Sequence, residues 1–229
     1  MSVPLNSSDE QIDALDRARR RGVPVGSIID VGASDGRWAE VARYLWPSAP
    51  ILMLEANEAH EPALQAFTQR FGPAGYVLGV AGPSSGSAAF VLSEDRFGGT
   101  VISAEAAKSV AADRVQRLEQ VSIDDVVTQL KLPPPYVIKL DTHGYETEIL
   151  KGAARTLKDT TLLQVEVYNF RLRPDVLVFA EMCFHLDQLG YRLADVFDVI
   201  RRPSDGLMWQ ADALFESKAA PWWKNGIYR

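Results

Sequence analysis

The stretch Ile28-Ile29-Asp30-Val31-Gly32-Ala33-Ser34-Asp35-Gly36 sets a carboxylate, two glycines and a serine in the order that a ligand-binding turn needs. Ile28, Ile29 and Val31 read as a strand buried on both faces. Asp30 then lies at the carboxyl end of that strand, where open α/β sheets bind their ligands. Gly32 lets the backbone take a positive φ or approach a ligand closely, and Asp35 can cap a helix that begins near Arg37. The spacing is Asp-x-Gly-x-x-x-Gly, without the three glycines that bring a pyrophosphate onto a helix N-terminus. A carboxylate here repels phosphates but tolerates an amino group or a sulfonium. The expected ligand carries no phosphate.

Glu55 ends a second apolar run, Ile51-Leu52-Met53-Leu54. A carboxylate at the end of the second strand of a βαβ unit can accept both hydroxyl hydrogens of a ribose. A third informative stretch is Tyr136-Val137-Ile138-Lys139-Leu140-Asp141. In a central strand Lys139 and Asp141 point to one face, and each needs a charged partner there. Lys139 can meet Asp141 itself, or Glu166 at the end of Leu162-Leu163-Gln164-Val165. His143 follows in the turn Thr142-His143-Gly144-Tyr145-Glu146, where an imidazole of ordinary pKa, about 6.5, can take a proton near neutrality. The alternative, that His143 only hydrogen-bonds its turn, stays open. A divalent ion between Asp141, His143 and Glu166 suits the ligand types, but spacing does not show that the three converge, and the expectation is no metal.

The elements that must position these residues alternate between strand and helix. A leading helix is predicted from a capping box between Ser7 and Glu10, with Ile12, Leu15 and Ala18 at helical spacing and Arg17, Arg19, Arg20 and Arg21 at its end. The spacing predicts further helices from Trp38 to Leu45, 61–71, 123–130, 146–157 and 176–189, the last holding the only cysteine, Cys183, and His185. Strands are predicted at 76–80, 88–92, 101–103 and 115–122, with a terminal antiparallel pair at 191–200 and 207–215. The polar loop 93–99 reads as a lid or as a plain hairpin connection, and Trp222, Trp223 and Tyr228 as a docking surface or as a tail packed back on the domain.

The 229 residues, 47% hydrophobic and 24% charged, are sufficient for one full core. We expect a single domain over 1–229, with an N-terminal helix in 1–25, a core in 26–215 and an aromatic tail in 216–229. The net charge of −6 and pI near 5.2 argue against a nucleic-acid partner. One cysteine excludes an intrachain disulfide and fits a cytoplasmic setting, and no membrane span or leader is expected.

Taken together, Asp30 to Gly36, Glu55, Ser122-Ile123-Asp124-Asp125, the run Lys139-Leu140-Asp141-Thr142-His143-Gly144-Tyr145-Glu146 through Leu150-Lys151-Gly152-Ala153, and Glu166 resemble the FkbM family of S-adenosylmethionine-dependent methyltransferases. The resemblance covers roughly 28–168. It implies a Rossmann-like class I methyltransferase fold, α/β, with a mostly parallel seven-stranded sheet, a reversed last strand and helices on both faces. It also implies O-methylation of a hydroxyl on a sugar or natural-product small molecule. Carried onto this chain, Asp30, Gly32, Ser34 and Gly36 shape the S-adenosylmethionine pocket, Glu55 holds the ribose, and Asp141 lies near the methyl group. Thr142-His143 stands where family members often have valine or isoleucine followed by glutamate or glutamine, which makes His143 the first candidate for the base and Asp141 the second. Ala81-Gly82 stands where an adenine-binding aspartate is common. The rival readings are a nicotinamide-dependent oxidoreductase and a non-catalytic cofactor-binding protein acting through a partner. The acceptor and the oligomeric state, homo-oligomer included, stay open.

Overall fold

Apolar runs build the sheet, and amphipathic helices cover it. A computed structural model describes residues 8–92, 99–102, 110–111 and 114–227 of the chain. The helices are α1 (Asp9–Arg20), α2 (Arg37–Leu45), α3 (Glu61–Arg70), α4 (Ile123–Leu130), α5 (Glu146–Lys151) and α6 (Phe179–Gln188). The strands are β1 (Ser27–Val31), β2 (Ile51–Glu55), β3 (Ala74–Leu78), β4 (Val80–Ala81), β5 (Gly86–Leu92), β6 (Gly99–Ile102), β7 (Val115–Val121), β8 (Tyr136–Leu140), β9 (Thr160–Tyr168), β10 (Tyr191–Arg201) and β11 (Met208–Ser217).

Seven strands form the main sheet in the order β10-β11-β9-β8-β1-β2-β3. β1, β2, β3, β8 and β9 pair in parallel, while β11 runs antiparallel to both β9 and β10. This is the expected mostly parallel sheet with its last strand reversed. One face packs Ile29, Ile138, Leu163 and Ala213 against α4, α5 and α6. The other packs Ile28, Met53, Val137 and Leu162 against α1, α2 and α3. Among the described residues no helix is long and apolar enough to cross a membrane.

Several local expectations are corrected, and others are resolved. The cap of α1 is Ser8, whose hydroxyl accepts from the Gln11 N–H at 2.9 Å; Ser7 lies outside the described residues. The arginines at the end of α1 hold carboxylates, Arg17 on Asp195, Arg19 and Arg20 on Asp16, and Arg21 on the fully buried Glu216. The strand expected over 76–80 divides in two: β3 closes the main sheet and β4 enters a second, four-stranded sheet of order β4-β7-β5-β6. The helix expected over 146–157 stops at Lys151, because the chain must pass a neighbouring backbone: a Cβ on Gly152 would lie 2.0 Å from the Gly82 carbonyl oxygen. The tail packs back on the domain, with the Trp222 indole N–H donating to Glu216 at 2.7 Å and that of Trp223 to the Ser217 carbonyl at 3.1 Å. The polar loop read as a lid lies, up to residue 98, outside the described residues, as does Tyr228.

Candidate active site

The turn after β1 is fixed by a close approach. Gly32 has φ +72°, and a Cβ there would lie 2.0 Å from the Asp141 carbonyl oxygen, so only glycine lets the ends of β1 and β8 meet. The next amides point at a carboxylate: Ser34 N–H donates to Glu55 Oε2 and Asn57 N–H to Glu55 Oε1, both at 2.7 Å. Each oxygen keeps a further lone pair, which suits a ribose diol. A cavity of about 240 Å³ opens here, and Gly32, Ser34, Glu55, Asp141, His143 and Glu166 line it. Val80, Phe90 and Val101 of the second sheet give it an apolar wall. This wall stands where an adenine-binding aspartate was sought.

Asp30 and Gly36 do not line that cavity. Asp30 is fully buried on β1 opposite Lys139 of β8, with Lys139 Nζ 3.4 Å from its Oδ1. Burial pushes its carboxyl up to about 6 despite the lysine. Lys139 also lies 3.2 Å from Asp141 Oδ2 and donates to the Gly32 carbonyl at 2.9 Å. The charge on Lys139 is therefore met by Asp30 and Asp141, where Asp141 or Glu166 had been expected. Gly36 precedes α2 with φ +84°, and a Cβ there would face Phe67, Leu64 and Met53 rather than the cavity. Asp35 binds Arg37, through the backbone N–H at 3.3 Å and the guanidinium at 2.7 Å.

The turn that carries His143 is tied down from beneath. Glu146 Oε1 accepts from the N–H and hydroxyl of Thr142, at 3.2 and 3.0 Å, and from the Gly144 N–H at 3.0 Å. Holding the turn this way places His143 at φ +55°, a left-handed conformation uncommon for a residue with a Cβ. Its Nδ1 lies 3.0 Å from Glu166 Oε2 and 2.8 Å from the Tyr168 hydroxyl, which itself donates to Glu166 Oε2 at 2.5 Å. Gln210 Nε2 holds the other oxygen of Glu166 at 2.6 Å. The imidazole thus bonds Glu166 and Tyr168, while Glu146 holds the turn.

The hydrogen bond to Glu166, aided by the charges of Glu166 and Asp141 and against the effect of burial, raises His143 to about 9. Burial and Glu166 push the Tyr168 phenol well up, so it stays a donor. Burial alone would raise Asp141, but Lys139 and His143 hold its carboxyl below the usual range. Asp141, His143 and Glu166 each offer a ligand atom within 4.8 Å of one another, the convergence that spacing left open. Hydrogen bonds also engage His143 Nδ1 and both oxygens of Glu166.

Sequence reasoning passed over Glu146, Tyr168, Gln164, Gln210 and Asp212. Glu146 stood in the quoted motif without a role of its own; for the others the signal was polar residues inside apolar strands: Gln164 and Glu166 alternate with Leu163 and Val165, so they share a face that should be core. Register makes the pattern two-dimensional. Asp30, Lys139 and Gln164 stand side by side on β1, β8 and β9, and Glu166 stands opposite Asp212 of β11.

The methyltransferase FkbM domain matches residues 30–193. Over 67 residues the chain is 30% identical to the hexuronic acid methyltransferase AglP of Haloferax volcanii, a match covering 29% of this chain and only 28% of that relative's length. The precorrin-6y C5,15-methyltransferase of Geobacter metallireducens GS-15 superposes with a TM-score of 0.50 at 12% identity, over 96% of this chain and 93% of that one. That likeness is one of fold. The magnesium protoporphyrin IX methyltransferase (ChlM) of Synechocystis PCC 6803 with bound SAM gives 0.46 at 9% identity, over 90% of this chain and 79% of that one.

Proposed function

Because the chain belongs to the FkbM methyltransferase family, we propose that it moves the methyl group of S-adenosylmethionine to a hydroxyl oxygen of a sugar or natural-product small molecule. The observation that carries this reading is the Glu55 carboxylate, aimed by two backbone amides into the cavity that Asp141 and His143 also line. Glu55 takes the ribose hydroxyls, Gly32 and Ser34 border the cofactor, and Asp141 lies beside the methyl group. The partial likeness to a hexuronic acid methyltransferase supports a sugar-type acceptor. The family match displaces the nicotinamide-dependent reading. We take residues 1–229 to act as one catalytic unit in the cytoplasm, a setting that a single cysteine supports.

In the reaction the acceptor oxygen attacks the methyl carbon as the carbon–sulfur bond breaks. The products are a methyl ether and S-adenosylhomocysteine, and the hydroxyl proton passes to His143. With Nδ1–H donating to Glu166, the neutral imidazole presents Nε2 as the base, and Asp141 is the second candidate. Holding the two reactants in contact supplies ~7–11 kcal/mol of the barrier in well-oriented cases.

Isothermal titration with S-adenosylmethionine and, in parallel, NADH tests the reading. Micromolar binding of the first ligand alone is expected. Glu55→Ala should weaken it roughly tenfold to a hundredfold, the loss of hydrogen bonds to a charged group. Preference for NADH, or no binding of either ligand, would overturn the proposal.

A further inference from the structure

Phe90, Gly99 and Val101 line the cavity at Glu55, so β5 and β6 of the second sheet form one of its walls. β6 is the outer strand of that sheet, and among the described residues it pairs only with β5, over four positions. A short edge strand held on one side opens at low free energy unless something else ties it down. Thr100 alternates with Val101 on β6, so its side chain leaves by the face turned away from the cavity. A second tie reaches the strand from that side.

Arg173, in the segment between β9 and α6, supplies it. Its Nη1 donates to the Thr100 hydroxyl at 2.7 Å, and its Nη2 to the Gly144 carbonyl at 2.8 Å in the turn that carries His143. A planar guanidinium fork meets two separate acceptors at once, which a compact ammonium does less well. The segment is braced to aim that fork. The Val176 N–H donates to the Arg173 carbonyl at 3.0 Å, while Arg171 donates to the Val176 carbonyl at 2.8 Å and to Glu181 at 2.6 Å. Val176 is buried against the turn itself, for a Cβ on Gly144 would lie 2.7 Å from its Cγ2. Asp175 stands 3.4 Å from Arg173 Nε on the outer side and leaves the two Nη groups to Thr100 and Gly144.

From this bridge we infer that Arg173 is a positioning residue, a latch that ties the β6 wall to the His143 turn, so that closing the cavity over the methyl donor and steadying the base are one event. The inference rests on the methyltransferase reading above, which gives this cavity to S-adenosylmethionine. The latch acts through β6 and the turn, and its hydrogen bonds go to Thr100 and Gly144 rather than to the imidazole. Ligand release requires the wall to move, so the two hydrogen bonds set part of the barrier to release. The same bonds oppose rocking of the turn, which would carry the imidazole away from Glu166.

The experiment measures release of S-adenosylhomocysteine from the full chain by stopped-flow displacement. Arg173→Met keeps the length of the stem and removes both hydrogen bonds, and release should quicken roughly tenfold to a hundredfold, the scale of hydrogen bonds to a charged group. Arg173→Lys and Thr100→Val each leave one of the two bonds available and should fall between. The double variant Arg173→Met/Thr100→Val should release no faster than Arg173→Met alone, because both substitutions cut the same tie. In NMR spectra of the loaded protein the His143 ring signals should broaden in Arg173→Met as the turn loosens. Wild-type release in Arg173→Met, additive effects in the double variant, or unchanged ring signals would overturn the latch. Thr100→Val, which leaves Arg173 in place, decides the matter by its release rate if Arg173→Met does not fold. Failure of S-adenosylhomocysteine to bind the wild-type chain removes the proposed function and the latch with it, whereas binding with release unaltered in every variant removes the latch alone.

Discussion

The two faces of the main sheet are treated differently by the same strands. Toward α4, α5 and α6 the face is apolar from end to end, with Ile29 and Val31 on β1, Ile138 and Leu140 on β8, and Leu163, Val165 and Val167 on β9. Toward α1, α2 and α3 it begins apolar, with Ile28, Val137 and Leu162, and then changes to Asp30, Lys139, Asp141, Gln164 and Glu166. Stability is drawn from the first face and from the amino ends of the second. The carboxyl ends of the second hold buried polar groups that a purely structural sheet would replace with apolar ones. That difference sets the buried polar cluster apart from the apolar core more sharply than any single motif does.

Substitutions can separate the two roles. His143→Gln should lower the methyl-transfer rate by about 10²–10⁴, the usual contribution of a positioned base, with little change in the urea midpoint. The pH profile sharpens this. The imidazole is protonated below about 9, so the wild-type rate should climb through neutrality and level off above that pH. The His143→Gln profile should be flat. In Glu166→Gln the raising partner is gone, and the rate should level off at lower pH. Lys139→Met should damage both roles: it strands Asp30 and Asp141, and loss of ~3–5 kcal/mol in chemical denaturation is expected, with weakened cofactor binding. Leu163→Ala on the apolar face should cost ~2–5 kcal/mol of stability and leave cofactor affinity intact in the folded fraction. Trp222→Phe removes one hydrogen bond to buried Glu216 and should cost about 1 kcal/mol, with the transfer rate unaltered. If Leu163→Ala abolished cofactor binding while Lys139→Met did not, the division between the faces would be wrong.

Much of this organisation was legible from local pattern. The apolar runs at 28–31, 51–54 and 136–140 are β1, β2 and β8, and the two runs at 191–200 and 207–215, parted by a polar turn, are the β10–β11 pair. Three strands of the second sheet were legible, at 88–92, 101–103 and 115–122, but not that they form a sheet of their own, because β4 has two residues and β7 shows its partners only once it pairs with β4 and β5. Asp30 was legible as a special residue but not as one facing Lys139: Asp-x-Gly reads the same whether the carboxylate meets a ligand or a lysine from a distant strand. Gln164 and Asp212 were missed for the same reason, since they lie 48 positions apart and their hydrogen bond exists only once β9 and β11 are in register. The Asp124 carboxylate, part of the motif that resembled the family, turns out to accept from the backbone N–H groups of Arg155 and Thr156. Its role is to tie α4 to the chain after α5.

The position of β11 between β9 and β10 imposes an order on biosynthesis. The parallel strands β1, β2, β3, β8 and β9 can associate as they leave the ribosome, and with them the turns that carry Gly32, Glu55 and Asp141. β10 emerges next and has no neighbour in the sheet until residues 208–217 arrive and insert beside it. Gln210 and Asp212 travel on that last strand. A nascent chain therefore sets the strands around Glu55 and Asp141 in place before the strand that carries Gln210, the partner of Glu166, can join them.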